Sequence, residues 1–254
     1  ISWCITALCH GARRMSPLSV GMLATSGGDG LIDRRHFIAA TGAVALARPA
    51  RAAGLAVPPG NAIGFQVLRN GSPIGEHHLR FTQNGDDLTV DIDIALTVTL
   101  AGLTLYRYSL TGNTKYTGGV FTGLDTVVND NGKHLEVHAH KVAAGYEVVG
   151  VNHNDPSKSY PRYTAPPNTL PLTYWDRNML NGTILNIETA HSYPVTVTPA
   201  GWFKMPTAEG GAITAQRFDV TGKLNLSVWY DQHNQWTSLE FHIKGDETYK
   251  KIVS

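Results

Sequence analysis

The sequence predicts an all-β protein: an antiparallel, strongly curved sheet, either a barrel or a half-barrel, with one short helix. Three observations carry this. In residues 86–100, Leu88, Val90, Ile92, Ile94, Leu96, Val98 and Leu100 fall on every second position, a period that puts all seven on one face of a strand. Such a strand spans roughly 40 Å, far beyond the usual five or six residues, and its apolar face needs a large sheet and something to cover it. About a dozen further segments of strand character follow one another, separated by Gly, Asn and Asp turns. Finally, a helical pattern occurs in only one short stretch of the chain beyond residue 53.

The elements follow in order. Residues 63–69 form a strand, and Asn70-Gly71 is a tight turn. Residues 74–83 form the second strand, and Asn84-Gly85 turns into the long third one. Ala101-Gly102 ends it. Residues 103–110 and 115–128 continue as strands, with a bend at Gly118-Gly119. Asp130-Asn131-Gly132 makes a hairpin into residues 134–143, and a short strand covers residues 146–151. Residues 152–171 contain Pro156, Pro161, Pro166, Pro167 and Pro171, and read as a loop because proline cannot donate to a ladder. A loop of that length points to function or mobility. Thr173 then caps a short helix, with Asp176 three residues on and Trp175 and Met179 one turn apart. Asn181-Gly182 stops it. Strands resume at residues 183–188 and 195–198 and end in a meander over residues 215–220, 224–230, 236–243 and 248–253.

Upstream of this domain lies an export signal. Arg34 and Arg35, followed by His36 and Phe37, precede the short apolar run 39–47 and the A-x-A site formed by Ala50, Arg51 and Ala52. The paired arginines with the following Phe37 resemble a twin-arginine signal read by the Tat export machinery. The apolar run is too short to span a bilayer. The expected organisation is an upstream segment over residues 1–30, untranslated or unstructured, a signal over residues 31–53 and a single all-β domain over residues 54–254. Met15 and Met22 offer alternative starts. Periplasmic or secreted localisation follows. Both cysteines, Cys4 and Cys9, precede the signal, so the mature domain has neither disulfide nor thiol nucleophile. The formal net charge is +1 and the basic residues are scattered, unlike a nucleic-acid-binding surface. No later run is long enough for a transmembrane helix.

Four candidate sites stand out. His134, Glu136, His138 and His140 share one strand face, as metal ligands or simply as a solvated outer surface; no specific metal is expected. His77 and His78 are adjacent, so one ring is expected to be packed and hydrogen-bonded and the other wet. Tyr174, Trp175 and Asp176 join the proline-rich stretch to the helix, which can plug the concave face of the sheet. Trp229 and Trp236 flank the final turn as core aromatics. Hydrolase signatures such as G-x-S-x-G or H-E-x-x-H are absent, as are phosphate-binding glycine loops, and no cofactor is expected.

Several stretches together resemble an uncharacterised family of exported bacterial proteins, a domain of unknown function. They are Phe65-x-Val67 with Arg69-Asn70-Gly71, Ile74-Gly75-x-His77, Gly102-x-x-Leu105-Tyr106-Arg107-Tyr108, Tyr174-Trp175-Asp176, and Leu226-x-x-Trp229-Tyr230-Asp231 with Trp236. The resemblance spans about residues 60–252 and implies export and a curved β fold. A looser, fold-level similarity runs to periplasmic carriers whose curved sheet holds lipid or lipoprotein acyl chains. The expected function is therefore non-catalytic binding of a hydrophobic small molecule or lipid. The expected lining is Ile92, Ile94, Leu96 and Val98 together with Tyr174, Trp175, Asp176 and Met179. The alternatives are an envelope enzyme of hydrolase type and a structural or interaction module.

Overall fold

The structure, a computed structural model, describes residues 55–242 and 246–253. The signal residues Arg34, Arg35, Phe37, Ala50 and Ala52, the segments assigned to 1–30 and 31–53, and both cysteines lie outside the described residues. Among the described residues fifteen strands form one sheet, bent into a nearly closed barrel. In chain order they are β1 (Ala62–Arg69), β2 (Ser72–Asn84), β3 (Asp87–Leu100), β4 (Leu103–Thr117), β5 (Val120–Asp130), β6 (Lys133–Val142), β7 (Gly145–Asn152), β8 (Tyr160–Ala165), β9 (Thr169–Pro171), β10 (Thr183–Leu185), β11 (Ser192–Pro206), β12 (Ala212–Gly222), β13 (Leu226–Asp231), β14 (Trp236–His242) and β15 (Asp246–Ile252). The spatial order is β8-β7-β6-β5-β4-β3-β2-β1-β15-β14-β13-β12-β11-β10-β9. Two meanders therefore meet where β15 pairs with β1. All pairings are antiparallel except β9 with β10.

The long strand obeys its period. Leu88, Val90, Ile92, Ile94 and Leu96 are buried, whereas Asp91, Asp93, Ala95 and Thr97 are exposed. The apolar row fades toward the turn, where Val98 is half-buried and Leu100 is exposed. His77, on β2, is packed inside, and His78 faces outward with its Nε2 2.7 Å from Glu76.

Four sequence-based expectations are corrected. Residues 152–171 are not one loop: β7 runs through Asn152, a 3₁₀ turn spans Pro156–Lys158, and β8 and β9 follow. Both are outermost strands, where a missing N–H leaves no ladder bond unmade. Pro161 lies at the irregularity between the Val148–Tyr163 and Gly150–Tyr160 pairings. The bend at Gly118-Gly119 is a true hairpin turn, with φ of 58° and 80°, so β4 is continuous to Thr117. The strand at 195–198 extends over the whole of β11, because it pairs along its length with β12 through a bulge at Pro199. The helix is a 3₁₀ turn, Arg177–Asn181, and its cap is Asp176, which accepts from the Asn178 N–H at 2.9 Å, not Thr173. Trp175 precedes it.

One glycine is demanded by close strand approach. Gly75 has φ of 150°, and a Cβ there would lie 1.9 Å from the Ala95 carbonyl oxygen on β3. The obstruction is backbone and cannot rotate away. Gly75→Ala is expected to cost about 2–4 kcal/mol through forced separation of β2 and β3, measured as a shift of the urea midpoint. Gly71→Ala has open space around it, keeps only the cost of its positive φ, and should cost about 1 kcal/mol.

Candidate functional site

The inside of the sheet is filled by the protein's own chain. After β9 the backbone passes inward through residues 172–176, forms the 3₁₀ turn, and returns through β10 and residues 186–191. Leu172, Tyr174, Trp175, Met179, Ile184 and Leu185 are all buried. The Trp175 ring meets Phe81 at 5.1 Å and Tyr116 at 5.4 Å, nearly edge-on in both cases. Hydrogen bonds pin the segment to the wall. The Tyr230 hydroxyl donates to the Tyr174 carbonyl at 2.7 Å, the Thr126 hydroxyl to the Ile187 carbonyl at 2.6 Å, and the Tyr108 hydroxyl to Glu188 Oε1 at 2.5 Å. Tyr174 has φ of 64°, a left-handed backbone that is uncommon for a bulky residue and persists only where its surroundings hold it.

Beside the 3₁₀ turn a crevice of about 530 Å³ opens to solvent, toward the β11–β12 hairpin. That size falls within the usual range for small-molecule sites. Its apolar walls are Trp175, Leu180, Val197, Pro199 and Phe218. Its polar rim comprises Asp176, Arg177, Asn178, Asn181 and Asn234. Arg177 is held in place: its Nη1 donates to Asn234 Oδ1 at 2.6 Å, and its guanidinium lies 4.6 Å from the centre of the Phe218 ring. Burial pushes the Asp176 carboxyl above its ordinary range, partly offset by the hydrogen bonds from Asn178. The Trp175 indole N–H is buried and has no partner among the described residues. The crevice thus joins an apolar wall to a rim of amides, the Arg177 guanidinium and a carboxyl whose pKa burial raises.

The expected lining residues divide. Trp175 and Asp176 line the crevice. Ile92, Ile94 and Tyr174 face a separate cavity of about 20 Å³ inside the sheet, shared with His77, Asn186 and Tyr249, which is room for about one water molecule. Leu96, Val98 and Met179 line neither; Met179 is core. Sequence reasoning missed Arg177, Asn178, Val197, Phe218 and Asn234. Nothing local marks them, because the crevice is assembled from the 3₁₀ turn, β11, β12 and the β13–β14 turn.

The histidine stripe lies on the outer face of β6. His138 Nδ1 sits 2.9 Å from Asp125 Oδ1 and its Nε2 3.3 Å from Glu136 Oε2. His153 approaches Glu136 at 2.9 Å, and His140 approaches Glu147 at 3.4 Å. His134, also exposed, takes no part in these pairs. The hydrogen bond to Asp125 is the main cause that raises the His138 pKa. Among the described residues no three His, Cys, Asp or Glu side chains are arranged to hold a metal; the stripe is a row of imidazole–carboxylate pairs.

No curated protein matches the sequence. Among solved structures, the chain is similar to the crystal structure of a beta-barrel-like protein of a domain of unknown function, DUF1849, from Brucella abortus. The identity is 9%, the TM-score is 0.52, and the match covers 75% of this chain and 94% of that one. At that identity the likeness is one of fold. No helix among the described residues is long and apolar enough to cross a membrane. The model of the family described as "Domain of unknown function (DUF6134)" matches residues 65–252, and the chain belongs to that family.

Proposed function

We propose that this protein is an exported, non-catalytic binding protein for a lipid-like ligand, held in the crevice beside the 3₁₀ turn. The observation that carries this reading is a crevice of ligand size in which apolar side chains form one wall and polar ones the rim. An acyl chain lies against Leu180, Val197 and Phe218, and a polar head group meets Asp176, Asn178 and Asn234. Because Arg177 is already engaged by Asn234 and Phe218 and most of the remaining rim is amide, the rim favours an uncharged head group. Among the described residues the cavity beside Ile92 and Ile94 holds only about 20 Å³, so the crevice is the better candidate. Export rests on the twin arginines, Phe37 and the Ala50–Ala52 site; Arg34→Lys with Arg35→Lys is expected to retain the protein in the cytoplasm.

Affinity should follow burial, not charge. Each methylene taken from water is worth about 0.8 kcal/mol, so fluorescent monoacylglycerols of increasing chain length should bind about fourfold tighter per added carbon until the crevice is full. Salt should have little effect. Val197 is half-buried on the crevice wall, so Val197→Asp should weaken binding at least tenfold (about 1.4 kcal/mol) with little change in the thermal midpoint. Absence of saturable binding at every chain length by folded protein would end the reading.

A further inference from the structure

The β3–β4 hairpin reaches past both of its neighbours. β2 accompanies β3 only as far as Leu96, and β5 accompanies β4 only to Tyr108. Residues 97–107 therefore pair with one another alone in the ladders. No charged residue occurs from Ile94 through Tyr106. At the tip, Leu100 is 66% exposed, Leu103 70% and Leu105 56%. The turn itself is unusual. Ala101 and Gly102 both have positive φ, at 50° and 81°. The neighbouring turns at this end of the sheet fill the first of those positions with Asn70 and Asn131, whose short polar side chains tolerate it. Ala101 accepts the strained backbone and leaves the tip without a polar side chain at the turn. The first charged side chain along β4 is Arg107, exposed and in no ion pair among the described residues. It lies beside Tyr106, which is half-buried.

We propose that this hairpin tip seats the protein on a lipid bilayer, with Leu100, Leu103 and Leu105 entering the boundary between head groups and acyl chains. Arg107 then lies at the depth of the phosphates, the placement this amphipathic side chain favours, while the Tyr106 hydroxyl stays bonded to Asp130. A protein partner fits the tip less well. A stable protein interface needs about 800 Å² from each side, and a two-stranded tip offers a point, not a face. A bilayer requires no complementary shape. The depth is limited by backbone: beyond Leu96 and beyond Arg107, whose N–H and C=O both bond Asn131, the outer edges of the hairpin carry N–H and C=O groups with no neighbouring strand, and these must stay hydrated. Insertion is therefore shallow, and one exposed arginine makes it favour anionic lipid. This proposal stands apart from the crevice and does not depend on it.

The test is a label at the tip of the full chain. Cys4→Ser and Cys9→Ser remove the native thiols, and Leu103→Cys accepts an environment-sensitive fluorophore. The control carries the label at Val127→Cys, 50% exposed on the outer wall. With vesicles of equimolar phosphatidylcholine and phosphatidylglycerol, the label at position 103 is expected to brighten, shift to the blue and be quenched by lipids brominated on the acyl chain. The label at 127 should not respond. Adding Leu100→Asp should raise the lipid concentration needed by at least about tenfold while leaving the melting temperature unchanged, since the site is solvent-exposed. Pure phosphatidylcholine should give a weaker response. Because the readout sits at the tip, binding through any other segment leaves it dark. A tip label that ignores both vesicles, or that responds no more than the control, overturns the proposal.

Discussion

Replacing Ile92 or Ile94 with aspartate is expected to abolish cooperative folding. Both side chains are almost fully buried on the inner face of β3, and both face the segment that fills the barrel, close to Leu172 and Tyr174. Among the described residues no lysine or arginine lines the small cavity there. An unpaired charge costs several kcal/mol at such a site, against a total stability of about 5–15 kcal/mol for a domain. The loss should appear as a missing thermal transition or one lowered by tens of degrees. Thr97→Asp, on the opposite face, is the control. Thr97 is exposed and sits across from Arg107, so the substitution should be neutral. Equal damage from both would mean that the outer face of β3 is covered as closely as the inner one.

Acid should destabilise the protein through His77, and this is the second large effect. The ring is buried among Phe65, Trp236 and Tyr249, at centroid distances of 6.4, 5.3 and 5.8 Å. Neither ring nitrogen has a hydrogen-bond partner among the described residues. Burial, with a smaller contribution from His78, lowers its pKa from 6.5 to about 3. The unfolded chain therefore takes up a proton that the folded chain refuses. Stability is fully present above pH 6.5 and is lost progressively as pH falls toward 3. The gap of about 3.5 pH units, at about 1.4 kcal/mol per unit, amounts to roughly 5 kcal/mol at its limit. His138 acts with the opposite sign. Its pKa is raised by Asp125 and Glu136, so its contribution is present below pH 6.5 and lost as pH rises through the folded value; as an exposed pair it contributes little. Urea titrations between pH 7 and 4.5 should show a falling midpoint for wild type and a flatter one for His77→Phe, which keeps the aromatic contacts. A slope unchanged by His77→Phe would assign the acid response to other groups.

How much of this was legible depends on how local each feature is. The alternation in β3 could be read directly because one face is covered and the other is wet, which is the condition under which a period of two carries information. The Asn-Gly turns could be read for the same reason: they need only their own backbone. β8 and β9 were hidden because their prolines look like loop residues unless the strand is known to be an edge. β11 was hidden because most of its residues, including Trp202 and Phe203, are exposed, so its apolar and polar positions do not alternate. The filling of the barrel was not legible at all. An apolar row states that something covers it but not what, and the contacts of Trp175 with Phe81 and of Tyr108 with Glu188 join residues about ninety and eighty positions apart. The histidine stripe lay between these cases. Its shared face was evident, whereas its carboxylate partner Asp125 comes from β5, opposite His138 in a register fixed only by the fold.

In the proposed function the interior is filled by the protein's own chain, and the ligand lies outside it against β11 and β12. Photolabelling addresses this most directly. A monoacylglycerol carrying a diazirine on its acyl chain, irradiated with the full-length protein and mapped by peptide mass spectrometry, should mark the segments containing Leu180, Val197 and Phe218. Excess unlabelled ligand should suppress those adducts. Saturable adducts confined to the segment that carries Ile92 and Ile94 would contradict the account and place the ligand beneath β3.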